Sequence, residues 1–175
     1  TEFVRGILKS SKPTSFADLV RISGISHGRE VWVGNAQDLI TNQHLVLREV
    51  ITCRDDIMDY LIPKGVESKT AFKIMEDVRK GKHIDDKQLK VLRANSVPEW
   101  YINSCMKITY LFPKAHATAY VLNAWRIAWF KLYYPLAFYA AYFNINAGLF
   151  DVETAFGGID AIKKKIQWIK TTKDI

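Results

Sequence analysis

An all-α domain of many short helices, packed as one unit with one long buried helix near the C-terminal third, is what this sequence predicts. Three observations predict it. Apolar residues recur at helical spacing in segment after segment. Ser, Thr, Asp, Pro and Gly punctuate those segments where helices start and stop. Alternating strand patterns are nearly absent, the one candidate being Val31-Trp32-Val33, which is short and ends at Gly34.

The first helix spans residues 2–9 and is broken by Ser10, Ser11 and Pro13. Thr14 or Ser15 caps a second, with Phe16, Leu19, Val20 and Ile22 on its apolar face. Gly24 ends it, and Ser26-His27-Gly28 forms a turn. Asn35 caps a short helix through Ile40, and Thr52 caps another with Ile57, Met58, Leu61 and Ile62, ended by Pro63 and Gly65. Ser68 opens a helix with Ala71, Phe72, Met75 and Val78 inward, stopped at Gly81. Further helices cover residues 85–94 and, after Pro98, the stretch to Tyr110. The longest runs from Lys114 to Tyr133, Pro135 starts the next, and a final pair fills the acidic-then-basic tail.

The chain's 175 residues are enough for one domain with a real core. At 49% hydrophobic and 25% charged it is ordinary globular protein rather than a disordered tail. Aromatics make up 13% and cluster in the last third, which places the best-packed core there. The net charge of +7 biases the chain towards phosphate-bearing partners. Cys53 and Cys105 match no metal-ligand spacing and are read as small buried thiols of a reduced compartment. Residues 132–150 carry no charge, but Pro135, Asn144, Asn146 and Gly148 interrupt them. A bilayer-spanning helix is more uniformly apolar, so these are helices buried in protein, of a cytoplasmic chain without membrane contact.

The residues by themselves show no catalytic centre. Asp55-Asp56 and Asp85-Asp86 are neighbours that point about 100° apart on a helix, and are read as solvated helix starts that favour the dipole. His27, His44, His83 and His116 have no metal-binding spacing. Phosphate binding has a better case. Arg54 stands at a helix start, where a guanidinium and free backbone N–H groups face one anion. Lys73, Arg79, Lys80 and Lys82 run along and past the end of one helix, against the plainer alternative of a solvated basic face. In the stretch from Phe112 to Tyr120, Pro113 fixes the turn that places Lys114 and His116 in the first turn of the long helix. There Ala115, Ala117 and Ala119 allow another backbone or a nucleotide to come close. Tyr120, Trp125, Trp129 and Phe130 are read as core aromatics, and Arg126 needs a carboxylate or phosphate partner if buried.

Several runs carry a resemblance. KPTSFADLVRISGISHG (12–28), VWVGNAQDL (31–39), CRDDIM (53–58), AFKIME (71–76), VPEWYI (97–102) and FPKAH (112–116) closely resemble the PolC-type alpha subunits of bacterial DNA polymerase III. Lys114, His116, Ala119 and Tyr120 also match the wider C-family of bacterial replicases. The similarity covers roughly residues 1–165, the tail over 154–175 matching only loosely. It implies that residues 1–175 are the fingers of a DNA-directed DNA polymerase, inactive alone because the palm's metal-binding aspartates lie before Thr1. It implies Arg54, Lys73 and Arg79 as contacts of the dNTP triphosphate. Phe112, Lys114 and His116 lie near the nucleotide or base pair, facing Ser23 and His27. Lys80, Lys82 and Arg126 are the implied DNA contacts. The implied cofactor is Mg2+, held by the palm, with no catalytic or metal-binding residue in this chain. The implied partners are dNTP, primer-template DNA, the palm domain and other replisome subunits. A stand-alone helical DNA-binding module without catalytic activity is the alternative, and a scaffold that binds only protein is a third.

Overall fold

The computed structural model describes residues 1–149 and 151–172. Phe150, which closes the uncharged run, and residues 173–175 of the tail lie outside the described residues. The helices are α1 (Glu2–Ser11), α2 (Phe16–His27), α3 (Gln37–Asn42), α4 (Arg54–Leu61), α5 (Ser68–Arg79) and α6 (Asp86–Ala94). They continue as α7 (Glu99–Lys107), α8 (Lys114–Tyr133), α9 (Pro135–Ile145), α10 (Val152–Phe156) and α11 (Gly158–Thr172). Among the described residues there is no strand; Arg29 and Tyr110 form one isolated antiparallel bridge. The class is all-α.

The chain divides into two compact units, Thr1–Ala124 and Trp125–Ile175. In the first, α1 packs on α2 and α3, and α4 packs on α5. Ile7, Ile25, Ile51, Ile57, Leu61, Ile74, Leu92, Tyr101, Ile102 and Leu111 are almost completely shielded from water and form its core. The second unit holds α9, α10 and α11, with α10 packed on α11.

The caps explain most boundaries. Ser15 accepts the Asp18 N–H while the Asp18 carboxylate accepts the Ser15 N–H, a reciprocal capping box. Asp85 and Gln88 do the same for α6. Gly81, at φ +67°, ends the α5 region, and a Cβ there would sit 2.7 Å from the Thr109 carbonyl oxygen. No L side chain fits that position.

Several expectations are corrected. Gly24 does not end α2, which continues to His27; it is buried mid-helix where a side chain would strike Thr52 and Cys53. Val31 to Gly34 is not a strand: Trp32–Ala36 is a π-type turn with Gly34 left-handed at φ +68°. Asn35 is not a cap but is buried, its amide donating to the Glu30 and Ser104 carbonyls. Cys53, not Thr52, holds the cap position of α4, because the Thr52 hydroxyl donates to Asp56 instead. Phe72 points outward, 52% exposed, while Ile74 takes the inward position. Helix α7 stops at Lys107, three residues short of the expected end, because Ile108 turns extended.

The largest correction concerns the aromatics. The core lies in the first unit, and among the described residues none after Ala117 is buried. Helix α8 is present as predicted, but only Ala117 on it is buried, and Tyr120, Trp125, Trp129 and Phe130 are exposed. Density of apolar residues shows what needs cover, not where the cover lies. Arg126 is exposed too, so it has no burial to offset. Both cysteines are buried and free, and burial pushes each thiol up to about 12, Asp56 adding to the effect at Cys53.

Candidate nucleotide-binding site

One extended segment, residues 108–113, assembles the site by lying across the ends of three helices. The Thr109 N–H donates to the Arg29 carbonyl and the Arg29 N–H to the Tyr110 carbonyl, just past α2. The Leu111 N–H donates to the Arg79 carbonyl at the end of α5. The Arg54 N–H, at the start of α4, donates to the Phe112 carbonyl at 3.1 Å. Asp55 then accepts the Lys114 N–H at 2.7 Å, which fixes the first turn of α8. Residues far apart in sequence thus meet at this segment.

Arg79 and Arg54, which the segment bonds through their backbones, belong to a cationic cluster. Arg79 grips Glu76 with its guanidinium fork, Nε to Oε1 and Nη2 to Oε2, both at 2.8 Å. Lys80 Nζ lies 2.9 Å from the same Oε2, and Arg54 Nη1 stands 3.9 Å from Oε1. Hydrogen bonds from Arg79 and then Lys80 pull the Glu76 carboxyl down to about 2. Lys73 is exposed on the same helix and lines a cleft between α5 and α6 with Phe72, Glu76, Lys80 and Lys87. Arg54 therefore has its guanidinium at the cluster, but its backbone N–H is committed to Phe112 and is not free for an anion.

Phe112 of the same segment belongs to a row of rings. His27 stacks on Phe112 at 5.1 Å, Phe112 meets His116 edge-on at 4.7 Å, and His116 lies 4.5 Å from Tyr120. His27 Nδ1 lies 2.8 Å from the Ser23 carbonyl and 3.1 Å from the Ser26 hydroxyl. Ser23, His27, Phe112 and His116 are thus brought together. Lys114 is drawn away from them. Its ammonium lies 2.9 Å from Asp59 and 3.2 Å from Asp56, and although burial pulls its pKa down, these carboxylates outweigh that and raise it.

Asp56 is a buried carboxylate in the first turn of α4. Its Oδ2 accepts the Thr52 N–H, the Thr52 hydroxyl, the Cys53 N–H and Arg21 Nη1, at 2.5 to 3.4 Å. At 8% exposure it is not a solvated helix start. Asp85, which caps α6, keeps that role. Lys82 is exposed just past Gly81, and Arg126 lies on α8 in the second unit. The cluster and the rings gather neither.

Glu76, Asp56 and Arg21 were missed by reasoning from sequence. Glu76 had a signal, since it stands three and four residues before Arg79 and Lys80 on one helix face. Asp56 also had one, a carboxylate three residues into a helix after Cys53. Arg21 had none, because its partner is 35 residues away.

No group of three or more His, Cys, Asp or Glu side chains among the described residues could hold a metal ion. Asp55 and Asp56 do not fit one, since both carboxylates are occupied by N–H groups and cations of the fold.

A family model for the bacterial DNA polymerase III alpha subunit finger domain matches residues 1–97. The chain is 59% identical over 164 residues to the DNA polymerase III PolC-type of Ureaplasma parvum, covering 94% of this chain and 11% of that protein. It is 55% identical over 177 residues to the PolC-type enzyme of Thermotoga petrophila, covering 100% of this chain and 13% of the relative. The match to the PolC-type enzyme of Listeria monocytogenes is 57% identical over 163 residues, 93% of this chain and 11% of the relative. The chain thus spans about an eighth of the length of these curated relatives.

Proposed function

Because the chain belongs to the finger-domain family of the bacterial DNA polymerase III alpha subunit, we propose that it is the part of a DNA-directed DNA polymerase that grips the incoming nucleotide. The observation that carries this reading is the meeting of Arg54, Arg79 and Lys80 around one carboxylate, with both arginines bonded through their backbones to Leu111 and Phe112, and Phe112 itself in the ring row with His27 and His116. A deoxynucleoside triphosphate has the same two halves. Its phosphates suit guanidinium forks and ammonium groups, and its base suits aromatic faces.

In this reading Arg54, Arg79 and Lys73 hold the triphosphate. Phe112, His116, His27 and Ser23 shape the wall beside the nascent base pair. Lys114, tied to Asp56 and Asp59, fixes the start of α8 so that Phe112 and His116 keep their places. Lys80, Lys82 and Arg126 are contacts for primer-template phosphates, sequence-independent and sensitive to salt. The chain's own contribution to the reaction is to bind and orient, which raises the rate by holding reactants in place. The aspartates and the magnesium that the family reading implies belong to a palm outside these residues.

Incorporation kinetics on the full-length polymerase test this. Arg54→Ala removes charge-assisted contacts that act in the transition state, so kcat/KM for nucleotide falls by about 30- to 1000-fold, roughly 2–4 kcal/mol. Arg54→Lys restores only part, because an ammonium lacks the fork. An unchanged kcat/KM with a lowered melting temperature would reduce Arg54 to a structural partner of Glu76.

A further inference from the structure

Glu76 stands where Arg54 and Arg79 of the proposed triphosphate subsite meet Lys80, a proposed contact of DNA phosphates. Its two oxygens accept the Arg79 fork at 2.8 Å and face Lys80 at 2.9 Å. A surface pair along one helix needs no more than these two, at three and four residues' distance. Here a third cation, Arg54, arrives from a different helix, to 3.9 Å. Both arginines are anchored by backbone bonds to the same short segment, the Arg79 carbonyl to Leu111 and the Arg54 N–H to Phe112. The main chain that carries the two arginines is therefore fixed at one segment. The carboxylate between them is the end of a rotatable side chain, and one negative charge faces three positive ones.

A guanidinium fork that fits two carboxylate oxygens fits two phosphate oxygens equally well. We propose that Glu76 is a resident counter-anion of the triphosphate subsite: it holds Arg54, Arg79 and Lys80 together while no nucleotide is bound, and an incoming phosphate displaces it from the Arg79 fork. The inference rests on the reading above that Arg54 and Arg79 contact the triphosphate. It adds an opposing residue to that site. The carboxylate stays ionised throughout the working pH range, because its neighbours hold its pKa far below neutrality. It therefore always competes, and it lowers nucleotide affinity in exchange for a preformed cation cluster.

The experiment is an equilibrium titration of a deoxynucleoside triphosphate into the full-length polymerase bound to primed DNA with a dideoxy-terminated primer, so that no chemistry intervenes. Glu76→Gln is expected to bind nucleotide roughly three- to tenfold more tightly, as suits removal of one competing charge at a partly exposed site, with a steeper loss of affinity on adding salt. Arg54→Ala is expected to bind more weakly. Unchanged or weaker binding by Glu76→Gln, with Arg54→Ala weakened, would overturn the counter-anion and leave the triphosphate reading standing. Unchanged binding by Arg54→Ala would instead overturn that reading, and the counter-anion with it. Glu76→Ala, read in the same titration, gives the same sign if the amide substitution alone fails to fold.

Discussion

Asp56 and Glu76 are both carboxylates among cations, and burial separates what each contributes. Asp56 is shielded from water and accepts from Thr52, Cys53 and Arg21 while facing Lys114. Asp56→Asn keeps the volume but replaces an acceptor with a donor facing donors, and strands two cations. A loss of about 2–4 kcal/mol is expected, as for a broken buried pair, read as a lower urea midpoint with unchanged slope. An unfolding free energy within about 0.5 kcal/mol of wild type, the usual margin for surface substitutions, would show that water replaces the carboxylate. Glu76 is read through pH instead. Its pKa is depressed from 4.5 to about 2 in the folded chain. A depressed acid stabilises the fold fully above its unfolded value and loses that contribution as pH falls through the folded one. The stability difference between wild type and Glu76→Gln should therefore be constant above about pH 5 and shrink towards pH 2. A difference that stays flat across this window would mean that the Arg79 and Lys80 bonds do not form in solution.

At the scale of elements, α2 and α4 are joined by the absence of a side chain. Gly24 lies mid-helix, and a Cβ there would sit 2.5 Å from the Thr52 carbonyl oxygen and also meet Cys53 Sγ. Alanine is the better helix former by about 1 kcal/mol, so propensity alone makes Gly24→Ala stabilising. The backbone oxygen cannot yield cheaply, so the variant is expected to lose about 1–3 kcal/mol, the cost of overpacking. A raised melting temperature would show that the α2–α4 contact is looser than drawn. Gly24 also shows how far elements were legible. Glycine near the end of a helix reads as a stop, because local pattern carries no record of a second helix approaching. Helices whose boundaries depend on local chemistry were placed well: Ser15 and Asp85 cap α2 and α6, and Pro135 opens α9. Residues 108–113 were not, since Ile108 to Leu111 continue a helical apolar pattern and leave it only for partners at Arg29, Arg79 and Arg54. The same long-range bonds assemble the site. The resemblance named Arg54, Arg79 and Lys80 one by one as expected contacts, but the meeting of all three at Glu76 had no counterpart in the sequence pattern.

At the scale of the whole chain, apolar residues and buried residues part company. The core of the first unit runs from Ile7 to Ala117, and the half-buried Tyr60 ring stacks at 4.0 Å on the buried Tyr101 ring at its edge. Helix α9 is apolar around its circumference, with Leu136, Tyr139, Tyr142 and Phe143 all exposed. Helices of that kind are covered in a larger protein or span a membrane, and no described helix is long and apolar enough to cross one. An uncovered surface of this extent favours association. Purified residues 1–175 should therefore bind a hydrophobic dye and self-associate as concentration rises. Residues 1–124, which retain every buried core position, should stay monomeric and dye-silent, and should unfold in one cooperative step. Sedimentation and thermal melts of the two chains decide the matter. The first unit would lose its claim to an independent core if residues 1–124 melted without cooperativity. If residues 1–175 stayed monomeric and dye-silent at high concentration, the aromatic surfaces of α8 and α9 would have to find cover within the chain itself.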